Sequence, residues 1–429
     1  MQKKFYSNVI LIVVLNLLVK PFYLFGIDAQ IQNSVGTYDY GMYFSLLNFS
    51  FLFNMILDLG LTNYNTKNTA QHPSIVARYI GSILGIKAVL GLTYAAVTIG
   101  IGLLLGYNNL QMEILSILVI NQFLAGLILY FRSNFAGLHN FKVDAILSVL
   151  DRLLLIGICA FLLYAGSTEQ AFKIEWFVYA QTGSYGIAVI VGLILTIAKI
   201  GVPKIKIKRL YTYAILKKST PYALLILLMM LYTRIDAVML ERLLPDGKQQ
   251  AGIYAQGFRL LDAVNIFALL IAGLLLPIFS RLLKQKESII ELLKTSSLLL
   301  IGVSSVVGVA CSFYAFQLMD LIYHNHAVEA SNVFPWIILS FIPISMTYVF
   351  GSLLTANGNL ALLNKMALGG IILNLFLNFI LIPILAVKGA AIATFATQTL
   401  TALTQVIFVI YLFKLNWNKK LMIKLIILV

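Results

Sequence analysis

The sequence predicts an all-α integral membrane protein, with about twelve transmembrane helices in two six-helix bundles. Three observations carry that expectation. Of 429 residues, 60% are hydrophobic and only 11% charged, whereas soluble domains hold about 45–50% apolar and about 25% charged residues. Apolar runs of about 20 residues, the length a helix needs to cross a bilayer, recur along the whole chain; barrel strands would show alternating runs of about 10. Lys and Arg are also distributed very unevenly between alternate connections, as the positive-inside rule requires of a multi-pass protein.

The spans are expected at 6–28, 40–61, 79–106, 112–131, 143–165, 174–198, 219–241, 251–281, 292–316, 332–356, 362–386 and 389–413. Several are long enough to need tilt or to continue beyond the bilayer. The first run follows Lys3 and Lys4 without a small-residue cleavage site, and reads as an uncleaved first helix. Residues 199–218 carry Pro203 and the run Lys204-Ile205-Lys206-Ile207-Lys208-Arg209. They read as a basic cytoplasmic linker touching anionic head groups, dividing an N-terminal bundle (1–198) from a C-terminal one (219–414). The tail, 415–429, ends in an apolar run too short to span, an interfacial segment or the stub of a thirteenth helix.

With the N-terminus inside, the inner segments hold 22 Lys and Arg residues and the outer ones only four: Lys173, Arg242, Lys248 and Lys388. A net charge of +15 would point to nucleic acid in a soluble chain. Here it is mostly a topology signal, and no nucleic-acid partner is expected. Cys159 and Cys311 fall in separate apolar spans and read as small core residues. No phosphate-binding glycine loop, metal-spaced Cys/His cluster or nucleophile elbow occurs, so neither catalysis nor a cofactor or metal is expected. His324 and His326, on an outer loop, and His72 and His139 read as peripheral.

An even number of spans per half gives both halves one orientation, so a repeat would be parallel, about an axis along the membrane normal. Tyr40-Gly41-Met42-Tyr43 opens the second span and Ala251-Gly252-Ile253-Tyr254 opens the eighth, as such a repeat requires. Such an architecture places a substrate site between the halves and permits alternating access.

Five cations lie inside apolar spans: Lys20, Lys87, Arg152, Arg234 and Arg259. A cation at bilayer depth costs about 2.5–3.5 kcal/mol, so each is expected to face a cavity or a partner, and together they favour something negative. Lys20 precedes Pro21, which frees a backbone carbonyl and predicts a kink. Lys87 lies near the inner end of its span and either snorkels or faces a cavity. Asp151 and Arg152 are adjacent and are expected to point apart. Arg234 and Asp236 are two apart and cannot pair locally. Arg259 and Asp262 are three apart and can pair across one turn. Asp58 precedes Gly60 at the inner end of the second span. Asp58, Asp236 and Asp262 are candidates for proton or sodium coupling, with structural pairing as the competing reading. Asn374 and Asn378 share a helix face and read as interhelical hydrogen-bonding residues, and the glycine of Gly389-Ala390-Ala391 as a packing residue.

Three sets of stretches stand out: Val35-Gly36-Thr37-Tyr38-Asp39-Tyr40-Gly41-Met42-Tyr43 leading to Ile56-Leu57-Asp58-Leu59-Gly60-Leu61; Arg234-Ile235-Asp236 before Gly252-Ile253-Tyr254-Ala255-Gln256-Gly257-Phe258-Arg259; and Asn374-Leu375-Phe376-Leu377-Asn378, Leu381-Ile382-Pro383 and Gly389-Ala390-Ala391-Ile392-Ala393-Thr394. Together they resemble the polysaccharide (Wzx-like, O-antigen) flippase family of the MOP superfamily, which also holds MATE exporters and lipid II flippases. The resemblance covers nearly the whole chain. It implies a MATE-like fold in a bacterial cytoplasmic (inner) membrane, and translocation of undecaprenyl-diphosphate-linked oligosaccharide to the outer leaflet without ATP hydrolysis. Lipid-linked oligosaccharide, membrane lipids and glycan polymerase or glycosyltransferase machinery are the implied partners. A MATE-like exporter coupled to protons or sodium is the alternative. A glycan-polymerising enzyme is a third class, disfavoured because the longest outer loop is short and lacks Arg.

Overall fold

The computed structural model describes residues 14–62, 65, 66, 69, 76–138, 140–164, 172–201 and 209–415, those at 77–79 and 209–223 by backbone alone. The core of the basic linker (202–208), His72, His139 and the tail beyond Leu415 lie outside the described residues. The described chain is helical, and its contacts divide it into two units. One comprises Met1–Val35 and Ser45–Leu227; the other comprises Gly36–Phe44 and Leu228–Val429.

In the first unit, α1 (Val14–Leu52) departs twice from a regular helix. Pro21 supplies no backbone donor. Just beyond it, Tyr23–Asp28 widen into a π-helical turn in which the Ala29 N–H reaches the Leu24 carbonyl, five residues back. The helix then breaks at Gly36 (φ 81°, ψ 167°), a backbone conformation that L side chains rarely adopt. The first two expected spans therefore meet at one glycine, and the expected connection between them is helical. The second ends at Leu52 rather than near Leu61, followed by a 3-10 turn at Asn54–Leu57. Leu59 (φ 43°) and Gly60 (φ 80°) then turn the chain through the left-handed region. Next come α2 (Val76–Leu104), α3 (Asn109–Gly137), α4 (Phe141–Tyr164) and α5 (Ile174–Ile200). Asn108 and Gln111 form a reciprocal capping box that starts α3. Ile80 and Ile83 of α2 pack on Tyr130 and Phe131 of α3.

Helix α6 (Arg209–Leu243) begins inside the segment expected as linker, so the second half of that segment is helical. In the second unit follow α7 (Gly247–Gln285), α8 (Ile290–Phe313), the short α9 (Ala315–Ile322), α10 (Ala327–Ala356), α11 (Leu360–Leu385) and α12 (Val387–Phe413). With 39 residues, α7 is about 58 Å long and outruns a bilayer core of about 30 Å. Pro343 lacks an N–H donor, and α10 is interrupted at Ser340, just before it.

Ten stretches among the described residues are long and apolar enough to cross a membrane, against twelve expected. The first two expected spans form one continuous stretch, Val14–Leu52. The expected seventh is present as α6 but carries seven charged residues and is not among the ten.

Candidate functional site

In the first unit, the turn of α1 before the π-helical stretch presents Lys20 to a group of charges on α3 and α4. Arg132, Arg152 and Asp151 are the charges that act on it. Arg132 is engaged: its Nε donates to Asp144 Oδ1 at 2.7 Å. Arg152 folds back on its neighbour, with Nε 3.6 Å from Asp151 Oδ2. The expectation that these two point apart is thus corrected, because the long, flexible Arg stem lets the guanidinium reach an adjacent carboxylate. Arg152 also lies over the rings of Tyr23 (4.8 Å) and Tyr185 (5.8 Å). Asp28, 1% exposed, accepts from the hydroxyl of Tyr23, the ring beneath Arg152, and so belongs to the same group. The carboxylates of Asp144 and Asp151 each have an arginine. Lys20 makes no hydrogen bond or ion pair among the described residues.

Lys87 and Asp58 occupy each other. Lys87, 2% exposed, donates from Nζ to Asp58 Oδ1 at 2.7 Å and lies 5.8 Å from the Tyr130 ring centroid. Asp58 also accepts from the Thr62 backbone N–H and hydroxyl, so it caps the turn that follows Gly60. The lysine neither snorkels nor stands open to a cavity.

In the second unit, α6 sends Arg234 and Asp236 to different surroundings, as their spacing requires. Arg234 donates from both terminal nitrogens to Asp262 of α7, at 3.3 and 3.4 Å, and its guanidinium lies 5.0 Å over Phe258. Arg259 is farther from Asp262, at 4.0 Å. Its Nε donates to the Tyr40 hydroxyl at 2.9 Å, and its guanidinium stacks 5.2 Å over Phe44. The interhelical pair therefore takes precedence over the expected pair within one turn. A cavity of about 330 Å³ opens beside Arg234 and Asp262, walled by α6, α7, α10 and α12.

Asp236, 1% exposed, is the hub of a buried polar network. Its Oδ1 accepts from Asn378 at 2.6 Å and Asn374 at 3.2 Å; its Oδ2 accepts from the Tyr254 hydroxyl at 3.2 Å and from Thr394. The two asparagines of one α11 face thus converge on a single carboxylate. Thr394 also lines the cavity, which places the network one side chain behind its wall. Such a carboxylate can take up a proton or a small cation, because its hydrogen-bond partners are neutral hydroxyls and amides and no fixed counter-charge touches it among the described residues.

The residues that sequence reasoning missed are those bonded to these charges: Tyr40, Phe44, Tyr254, Phe258 and Thr394. The two Gly-Tyr stretches contained two of them, Tyr40 and Tyr254. They were legible as a repeated pattern but not as neighbours. A Cβ on Gly41 would collide with the carbonyl oxygen of Lys248 and the backbone nitrogen of Gly252, and one on Gly252 with the Thr37 carbonyl. Backbone meets backbone there, so the two stretches cross each other.

This arrangement has known relatives. A membrane protein of uncharacterized function from Bacillus subtilis (strain 168), YabM, is 25% identical over 405 residues, 86% of this chain and 72% of that protein. The inward-facing structure of a multidrug resistance MATE family transporter of the MOP superfamily superposes with a TM-score of 0.72 at 12% identity, covering 93% of this chain and 97% of the other. The lipid II flippase MurJ, in an inward closed conformation, gives 0.70 at 14% identity, covering 98% and 96%. The family described as "Polysaccharide biosynthesis protein" matches residues 5–283, more than half the chain. The chain has the MOP fold and belongs to the polysaccharide biosynthesis protein family.

Proposed function

We infer that the protein is a flippase that carries undecaprenyl-diphosphate-linked oligosaccharide from the cytoplasmic to the outer leaflet of a bacterial inner membrane, by alternating access and without catalysis. The observation that carries this reading is a lysine of the first unit, Lys20, that has no carboxylate of its own among the described residues. Lys20 sits in a span with Arg152 and Arg132, whose own carboxylate partners are Asp151 and Asp144. A cation in low dielectric attracts a diphosphate more strongly than in water, and the anion in turn relieves the cost of burying the lysine. Lys87 has no part in this, being held by Asp58. The family match supports a saccharide cargo, and the excess of Lys and Arg on one set of connections supports a cytoplasmic N-terminus.

Net movement needs differential affinity between two states, or coupling to a gradient. Asp236 is the coupling residue in this reading. It is a buried carboxylate held by Asn374, Asn378, Thr394 and Tyr254, and Asn378 Oδ1 has no partner among the described residues. The same carboxylate supports a second reading, a MATE-like ion-coupled exporter.

The test is leaflet translocation of fluorescently labelled lipid-linked oligosaccharide in liposomes. Losing a charge-assisted hydrogen bond of about 1.5–3 kcal/mol predicts that Lys20→Ala slows translocation about tenfold or more, with Lys20→Arg retaining most of the rate. Wild-type rates in both Lys20→Ala and Arg152→Ala would overturn the cationic path.

A further inference from the structure

We propose that the cavity of the second unit is a subsite for a neutral pyranose ring, one sugar of the cargo, and not a site for its diphosphate. This rests on the flippase reading and deepens it. The cavity's volume, about 330 Å³, lies at the lower end of the range of about 300–1,000 Å³ for small-molecule pockets. It is lined by Arg234, Asp262, Tyr348, Phe258, Asn265 and Thr347, among mostly apolar neighbours.

Four features of this wall select the ligand. The first is charge. Arg234 spends both terminal nitrogens on Asp262, so the guanidinium most favourably placed for a diphosphate is already neutralised. An organic cation fares no better, because the same carboxylate is bound to Arg234 and faces Arg259 at 4.0 Å. The second is unmet polarity. Asn265 Oδ1 and Thr347 Oγ1 are buried without a hydrogen-bond partner among the described residues, and Thr347 is only 8% exposed. Leaving such atoms unbonded is costly, so a purely apolar occupant such as a lipid tail is a poor fit. The third is the fork itself. A guanidinium and a carboxylate held side by side offer donors and acceptors to one ligand, the combination that vicinal hydroxyls meet with both their hydrogens and their lone pairs. The fourth is the aromatic ring of Tyr348, on which the C–H face of a pyranose can lie, Phe258 beside it being covered by the Arg234 guanidinium. A neutral sugar ring, apolar on its faces and hydroxylated around its edge, satisfies all four together.

The division of labour follows. The first unit, whose Lys20 has no partner among the described residues, takes the charge of the cargo; the cavity in the second takes a saccharide.

The test is saturation-transfer NMR on the full chain in nanodiscs, with methyl glucoside, methyl galactoside, methyl rhamnoside and methyl N-acetylglucosaminide as probes. At least one glycoside is expected to bind the wild type. Thr347→Val and Asn265→Leu should each weaken that binding about tenfold, the worth of one buried hydrogen bond to a ligand. Thr347→Ser should restore it, which a loss of folding would not allow. Absence of binding by every glycoside, binding insensitive to both substitutions, or displacement of the glycoside by inorganic pyrophosphate overturns the subsite. Wild-type translocation of lipid-linked oligosaccharide is measured separately. Translocation without glycoside binding leaves the flippase reading standing and removes the subsite. Thr347-dependent glycoside binding without translocation keeps the subsite and removes the flippase.

Discussion

Asp58→Ala should be far more damaging than Lys87→Met, and the pair of substitutions together should cost less than Asp58→Ala alone. Lys87 is 2% exposed, so removing its carboxylate strands an ammonium in the protein interior. Breaking a fully buried pair costs about 3–5 kcal/mol. Asp58, however, is 36% exposed, and water reaching its side of the pair reduces the penalty to about 2 kcal/mol. Asp58 also receives the Thr62 backbone N–H at 3.2 Å, and losing such a cap costs about 1 kcal/mol more. The single Asp58→Ala variant should therefore lose about 3 kcal/mol. Lys87→Met leaves a carboxylate that water can still reach and keeps the cap, and should lose about 1 kcal/mol. In the double variant no charge is stranded; the cap is still lost, and the total should fall to about 2 kcal/mol. The coupling between the sites is then about 2 kcal/mol. SDS-induced unfolding in mixed micelles, followed by circular dichroism, measures all four corners of the cycle. Additive losses, within about 0.5 kcal/mol, would refute the buried pair and return Lys87 to the candidates for cargo binding.

Asp236→Asn keeps the shape of the side chain but replaces one acceptor oxygen by an N–H₂, so one pair of donors, the Asn374 and Asn378 amides or the Tyr254 and Thr394 hydroxyls, loses its acceptor. It should cost about 1–3 kcal/mol in the same unfolding assay. Translocation by this variant should no longer respond to an imposed proton or sodium gradient, and a wild-type response would remove Asp236 as the coupling residue. Gly252→Ala drives a methyl group into the Thr37 carbonyl. Backbone cannot step aside as a side chain can, so a loss of about 3 kcal/mol is expected, at the upper end for overpacking; an unchanged unfolding midpoint would contradict the close approach.

The membrane class and most spans were legible because bilayer thickness and helix rise act locally on the chain. So was the divergence of Arg234 and Asp236, since two residues along a helix turn the side chain through about 200°. What lay beyond the sequence was partnership across it. Asp262 sits one turn from Arg259, yet its closer partner is Arg234, 28 residues away. Asn374 and Asn378 were readable as one polar face, but not that a carboxylate 138 and 142 residues earlier would be its target. The end of the second span at Leu52 was hidden for a different reason. Phe53-Asn54-Met55-Ile56-Leu57 is apolar enough to continue a helix, yet the chain leaves the α-helix at Phe53 (φ −101°, ψ 0°) and tightens into a 3-10 turn. Asn265 and Thr347 gave no signal at all, being ordinary polar residues in apolar helices until the cavity beside them is seen.

The crossing of Gly41 and Gly252 also fixes an alignment. Each glycine admits the other's backbone at one point along its helix. One residue away stand Tyr40 and Met42 on one strand of the crossing, Ala251 and Ile253 on the other. A slip of either helix by a single residue would present a side chain where only a hydrogen fits. The contact therefore works as a key that accepts one register, and that register sets which hydroxyl Arg259 meets and which rings surround it. Two residues without side chains thereby decide the placement of the side chains around them.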